Sequence, residues 1–196
     1  HFNNLPDEVF TEVDSDFSLN DGALITYPGT GEGYMDRTDG SLLNANMDAP
    51  AGFGLRVRNP SDSRELIVAV PSTGYRELQF SFAVHRTNNG AQQQEFYYSP
   101  DAGETWEQIG TAYDVFLDYT VKAFDLSEID EVNDNPDLQF RILFTGEEAS
   151  GASGNNRFDN LALTGVAAAL TLDAANPPAA VLNEYYEGHT FTVSGG

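Results

Sequence analysis

Three histidines, at positions 1, 85 and 189, are the only imidazoles in a chain of 196 residues that holds no cysteine. Disulfides, thiolate metal sites and cysteine nucleophiles are excluded together. His85 ends an alternating run beside Arg86, and no serine sits in a Gly-x-Ser-x-Gly elbow. Two carboxylates for glycoside hydrolysis can be drawn from 31 acids in many ways, and nothing in the sequence selects a pair. A hydrolase of unrecognised type is therefore the weakest of three readings, and the chain is expected not to be an enzyme. Binding chemistry has better candidates. Tyr97, Tyr98, Tyr113, Phe116 and Tyr119 could form a sugar platform, since a pyranose face stacks on an exposed flat ring. Phe96 and Tyr98 share one strand face and Tyr97 takes the other, so one side of this strand belongs to the core.

A second group of residues carries turn chemistry. Ser99-Pro100-Asp101-Ala102-Gly103-Glu104-Thr105-Trp106 matches the Asp-box pattern S-x-D-x-G-x-T-W at every fixed position. The aspartate accepts backbone N–H bonds within the hairpin and the glycine takes a backbone conformation closed to other residues. The tryptophan is expected to anchor the loop on the core. The motif is best known from sialidases, where it repeats around a propeller. Here it occurs once, and the chain is too short for a propeller, so a sialidase is rejected.

Asn156-Arg157-Phe158-Asp159-Asn160-Leu161-Ala162-Leu163 resembles the last strand of jelly-roll carbohydrate-binding modules. Phe2–Pro6, Ile25–Gly31 and Leu55–Pro60 extend that likeness to the jelly-roll domain of secreted Bacteroidota surface proteins, over roughly residues 1–165. The resemblance implies an extracellular β-sandwich and a structural calcium on Asp159. Its partners would come from Glu12, Asp14 and Asp16 and from backbone carbonyls, because oxygen ligands suit a hard cation. The acid-rich stretch 130–137 lacks the EF-hand spacing and its glycine.

The formal charge of −22 argues against nucleic acid and anionic membrane surfaces as partners, since both need basic patches. Lys122 is the sole lysine. No run approaches the roughly 18 apolar residues that span a bilayer, so no membrane insertion is expected. The numbering starts at His1, as expected for a mature chain after signal cleavage, which again points outside the cell.

These residues need a frame, and the patterning supplies one. Strands are expected at Val9–Val13, Ala23–Tyr27, Gly54–Arg58, Glu65–Val70, Glu77–His85, Gln93–Ser99, Thr105–Ile109, Tyr119–Asp125, Leu138–Phe144 and Arg157–Thr164. Leu78–Val84 and Leu138–Phe144 alternate apolar and polar cleanly, the mark of a half-buried strand. Leu126–Val132 reads as a turn or a single helical turn. Short strands between Asn-Gly and Asp-Gly turns define an all-β, antiparallel jelly-roll β-sandwich over residues 1–165. Residues 166–196 form a C-terminal linker and an extension of one or two strands, Ala180–Tyr186 and His189–Val193. An isolated hairpin is marginal in water, so this extension must pack against something.

Two further readings follow, both non-catalytic and extracellular. In one, the chain is a subunit of a cell-surface filament and its main partner is a copy of itself. His189, Phe191 and Val193 would then be the assembly strand, added to a neighbour's open sheet edge. In the other, the chain is a calcium-stabilised module that binds extracellular polysaccharide or serves adhesion, through Tyr97, Tyr98, Tyr113 or Tyr119.

Overall fold

The computed structural model describes residues 2–169, 171–173 and 192–194. Its strands are β1 (Glu12–Asp14), β2 (Leu24–Thr26), β3 (Met35–Asp39), β4 (Phe53–Arg58), β5 (Glu65–Ala69), β6 (Tyr75–Arg86) and β7 (Gln93–Ser99). Then follow β8 (Glu107–Gln108), β9 (Tyr113–Asp114), β10 (Thr120–Asp125), β11 (Gln139–Thr145), β12 (Asn155–Ala167), β13 (Thr171–Asp173) and β14 (Thr192–Ser194). Short 3-10 turns occupy Asp130–Val132 and Glu147–Ser150.

Two antiparallel sheets face each other as a jelly-roll sandwich. One runs β1-β2-β5-β11-β7-β8, with β9 also on β7, and the other runs β10-β6-β12-β4-β3. The period-2 alternation decides which side chains meet between them. From β7 the buried set is Gln94, Phe96 and Tyr98; from β11 it is Phe140, Ile142 and Phe144. Phe80, Phe82 and Phe158 come from the opposite sheet and are likewise buried. Ring centroids of Phe96 lie 5.2 Å from Phe80, 5.3 Å from Phe140 and 4.0 Å from Phe124, which makes Phe96 the hub of the core.

The ten strands predicted between Val9 and Thr164 are present, several with shifted bounds. β3 is an addition, because Met-Asp-Arg-Thr-Asp reads as a polar loop until β4 pairs with it. β12 runs on through Gly165 to Ala167, past the expected boundary, and its register against β6 shifts between Asp159 and Ala162. Beyond that shift β12 pairs, among the described residues, with β6 alone, since its pairing with β4 ends at Phe158. In the C-terminal extension, Val193 pairs with Leu172 as β14 meets β13 of the same chain. His189, Phe191 and the expected strand Ala180–Tyr186 lie outside the described residues.

Candidate functional site

Alternation that buries one face of a strand presents the other to solvent. On the outer face of the seven-stranded sheet, ladder pairing sets Thr26, Ile67, Arg141, Tyr97 and Gln108 side by side on five successive strands. Arg141 is the centre of this row. Its guanidinium carbon lies 4.6 Å from the Tyr97 ring centroid and 4.5 Å from that of Trp106. Its Nη1 also donates to Glu65 Oε2 at 3.4 Å. Next along the face, Tyr97 donates its hydroxyl to Glu95 Oε2 at 2.7 Å, and this bond raises the phenol's pKa. The result is a half-exposed surface of two aromatic rings, one guanidinium and two carboxylates.

The Asp-box hairpin delivers Trp106 to this surface. Asp101 Oδ1 accepts the Thr105 N–H at 2.8 Å and Oδ2 accepts the Thr105 hydroxyl at 2.6 Å. Ser99 Oγ donates to Asp101 Oδ1 at 2.7 Å and accepts the Gly103 N–H at 2.8 Å. Gly103 takes φ +92, where a β-carbon would be strained. The Thr105 hydroxyl, the Thr105 N–H and the Ser99 hydroxyl together hold the Asp101 carboxyl down at about 2. The expectation that Trp106 anchors the core is corrected here. The side chain is half-exposed, packs on Arg141 and stays outside the core cluster.

The four predicted tyrosines do not form one platform. Tyr98 is buried and donates its hydroxyl to Glu107 Oε2 at 2.8 Å. Tyr113 packs on Phe124 and donates to Gln94 Oε1 at 3.0 Å; burial drives its pKa up. Both belong to the core, because their strand positions point between the sheets. Tyr97 faces outward on the seven-stranded sheet. Tyr119 lies by the other sheet, its ring centroid 4.1 Å from His85. Phe116 is exposed, with Lys122 Nζ 5.7 Å from its ring centroid.

The predicted calcium ligands are also separated. Glu12 and Asp14 are exposed on β1, at the edge of the seven-stranded sheet, and Asp16 accepts from Asn4 Nδ2 at 2.9 Å. Asp159 is buried in the five-stranded sheet, where Oδ2 accepts the Ser41 N–H at 2.6 Å and Oδ1 the Asn160 N–H at 2.8 Å. Burial raises its pKa in spite of those two bonds. Among the described residues, no three His, Asp or Glu side chains gather closely enough to hold a metal ion. One orphan oxygen remains at this corner, since Asn160 Oδ1 is buried and has no hydrogen-bond partner among the described residues.

A cavity of about 460 Å³ lies away from the aromatic row, between the sheets. Val13, Ile25, Val68, Leu78 and Leu163 line it, with Phe17, Leu19 and Met47 exposed at its rim. No described helix is long and apolar enough to cross a membrane.

Neither a family model nor a curated protein matches the chain. Solved structures similar to it include TmCBM61 in complex with β-1,4-galactotriose, at 10% identity and a TM-score of 0.47, over 72% of this chain and 88% of that one. The family 11 carbohydrate-binding module of the cellulase Lic26A-Cel5E of Clostridium thermocellum shares 14% identity with a TM-score of 0.47, over 83% and 96%. The CBM22-2 xylan-binding domain of Paenibacillus barcinonensis Xyn10C shares 11% with a TM-score of 0.47, over 71% and 91%.

Proposed function

We propose that the chain is a non-catalytic, extracellular carbohydrate-binding module that takes polysaccharide on the outer face of its seven-stranded sheet. The supporting observation is the Tyr97–Arg141–Trp106 cluster. Aromatic rings offer stacking surface to sugar C–H faces, while a guanidinium and carboxylates offer fixed donors and acceptors to hydroxyls. An open sheet face with one such cluster suits a long chain passing over it better than a small molecule needing enclosure. Affinity electrophoresis against a panel of neutral soluble polysaccharides, with Trp106→Ala beside wild type, tests the reading. Retardation on at least one polysaccharide, lost in the variant, is expected. A wild-type protein that none of them retards, or a variant retarded equally, overturns it.

The calcium enters as part of the proposal at Asp159, supported by the buried carboxylate and the orphan Asn160 Oδ1. A bound cation would offset a buried negative charge there, and the acids of β1 and its following turn take no part. A rise in melting temperature when calcium is added to EDTA-treated protein tests this.

A second reading, a self-assembling filament joined by strand addition, is favoured by one observation. Past its register shift β12 has no strand partner on its β4 side among the described residues, and that edge borders the apolar cavity. A neighbour's extended segment could add ladder bonds there and place alternate side chains in the cavity. With −22 charges on each copy, such assembly requires screening salt. Electron microscopy at low and high salt decides it, and a monomer under both conditions rejects it.

A further inference from the structure

The outer face of the five-stranded sheet carries a second row, which neither reading above uses. Ladder pairing places Asp36, Arg56, Arg157 and His85 side by side on β3, β4, β12 and β6. At a strand spacing of about 4.8 Å the row spans roughly 14 Å. Tyr119 extends it beyond His85 by ring contact. Arg58 lies on the same face of β4, two residues from Arg56.

Three of the chain's nine cations therefore gather on one face, in a protein of charge −22. Two carboxylates share this face: Asp159, two residues from Arg157 on β12, is buried and bonded to the Ser41 and Asn160 N–H groups, and Asp36 is fully used. Arg56 Nε donates to its Oδ1 at 2.6 Å, and Arg58 Nη2 donates to its Oδ2 at 3.2 Å. Arg157 differs. It makes no ion pair among the described residues, and its Nε is tied to Asn155 Oδ1 at 2.9 Å. That bond orients the planar group, while its terminal nitrogens meet no acceptor among the described residues. A held guanidinium with both terminal nitrogens open matches a carboxylate bidentately.

Its neighbours suit a sugar. His85 Nδ1 lies 3.1 Å from the Leu117 carbonyl oxygen, which can only accept, so Nδ1 carries the proton and Nε2 is left as an acceptor for a hydroxyl. Tyr119 stands half-buried against the imidazole and adds ring surface. We infer that this row is a separate binding site for an oligosaccharide bearing an isolated carboxylate, a uronic-acid residue whose carboxylate sits on Arg157. A dense polyanion is disfavoured, because the field of the whole chain repels it. A single carboxylate at contact distance feels Arg157 above all, since screening falls within about 8 Å at physiological salt.

The site is independent of the Tyr97–Arg141–Trp106 surface, and the test keeps the two apart. Calorimetry compares a trisaccharide ending in glucuronic acid with its carboxyl-reduced form, which ends in glucose. Wild type is expected to bind the acid at least tenfold more tightly, with the difference shrinking at high salt. Arg157→Gln should abolish the preference, and Trp106→Ala should retain it. Equal affinity of wild type for the two sugars, no binding of either, or an unchanged preference in Arg157→Gln overturns the inference. So does equal displacement of the acid by heparin or DNA, which would mark a general anion patch. Should Arg157→Gln fail to fold, the matched sugars on wild type still decide the matter.

Discussion

Arg141 holds its guanidinium 4.5 Å from the ring centroid of Trp106, the sole tryptophan of the chain. Intrinsic fluorescence is therefore a direct readout of the proposed polysaccharide surface. Removing the cation in Arg141→Ala deletes contacts to two rings and a long bond to Glu65. Half-exposed cation–π and ion pairs of this kind contribute about 0.5–1 kcal/mol each, so the loss of stability should stay within about 1.5–3 kcal/mol. Trp106 emission should change in the free protein, and added polysaccharide should no longer perturb it. An emission spectrum identical to wild type would show that the two groups do not touch in solution.

Adjacent residues on β7 should give opposite phenotypes. Phe96 is buried among Phe80, Phe124 and Phe140, and truncating such a core ring to alanine costs about 3–5 kcal/mol. Tyr97, one residue on, is half-exposed and packs on Arg141. Urea denaturation should show a large midpoint drop for Phe96→Ala and a drop below about 1 kcal/mol for Tyr97→Ala. Polysaccharide retardation should fall in Tyr97→Ala at unchanged fold. A large stability loss in Tyr97→Ala would place that ring in the core and dismantle the proposed surface.

What the sequence made legible follows from the range of the interactions involved. The bounds of β7 were readable because alternation is local, and the Asp-box bonds were readable because they close within four residues. The direction of Trp106 was not, since a hairpin motif does not say which face of the sheet it covers. The meeting of Arg141 with Tyr97 depends on the register of β11 against β7, two strands well separated in sequence. The row of Asp36, Arg56, Arg157 and His85 joins four strands and was hidden for the same reason. β3 became a strand only through its partner, because Asp36 and Arg37 carry no strand signal of their own. Of the tyrosines, Tyr97 was separable from Tyr98 by parity, whereas Tyr113, on a strand of two residues, offered no period to read.

Asn59 ties three loops together, and a one-atom change should undo it. Its Nδ2 lies 2.8 Å from Asn89 O, 2.6 Å from Glu148 O and 3.1 Å from Ser153 O, and the residue is 6% exposed. In Asn59→Asp the amide donor becomes a carboxylate oxygen facing carbonyl oxygens. Leaving a buried polar group unsatisfied costs about 1–3 kcal/mol, and a charged one more, so a loss of at least about 3 kcal/mol is expected. Lowering the pH should partly rescue the variant, as protonation restores one donor. Calorimetric melting at pH 7 and pH 4.5 checks both points, and a variant as stable as wild type at pH 7 would contradict the bonding described.

Asp101 gives the hairpin a pH dependence whose sign can be worked out. Its folded-state value of about 2 lies below the ordinary 3.8, because the Thr105 hydroxyl, the Thr105 N–H and the Ser99 hydroxyl all favour the charged form. A depressed carboxyl contributes stability at pH values above the unfolded value, and that contribution is lost as pH falls from about 4 toward 2. The amide introduced by Asp101→Asn can still accept the Thr105 N–H through its oxygen. Its NH2 group cannot accept a hydroxyl, so the variant loses at least one bond and no longer titrates. Wild type should melt above Asp101→Asn at pH 6, with the gap closing between pH 4 and pH 2. The group is exposed, so the gap at pH 6 should be modest and should narrow with added salt. Trp106 fluorescence should report the same transition locally, since the hairpin positions that ring. A gap that is constant across the range would mean that the carboxylate does not hold the turn.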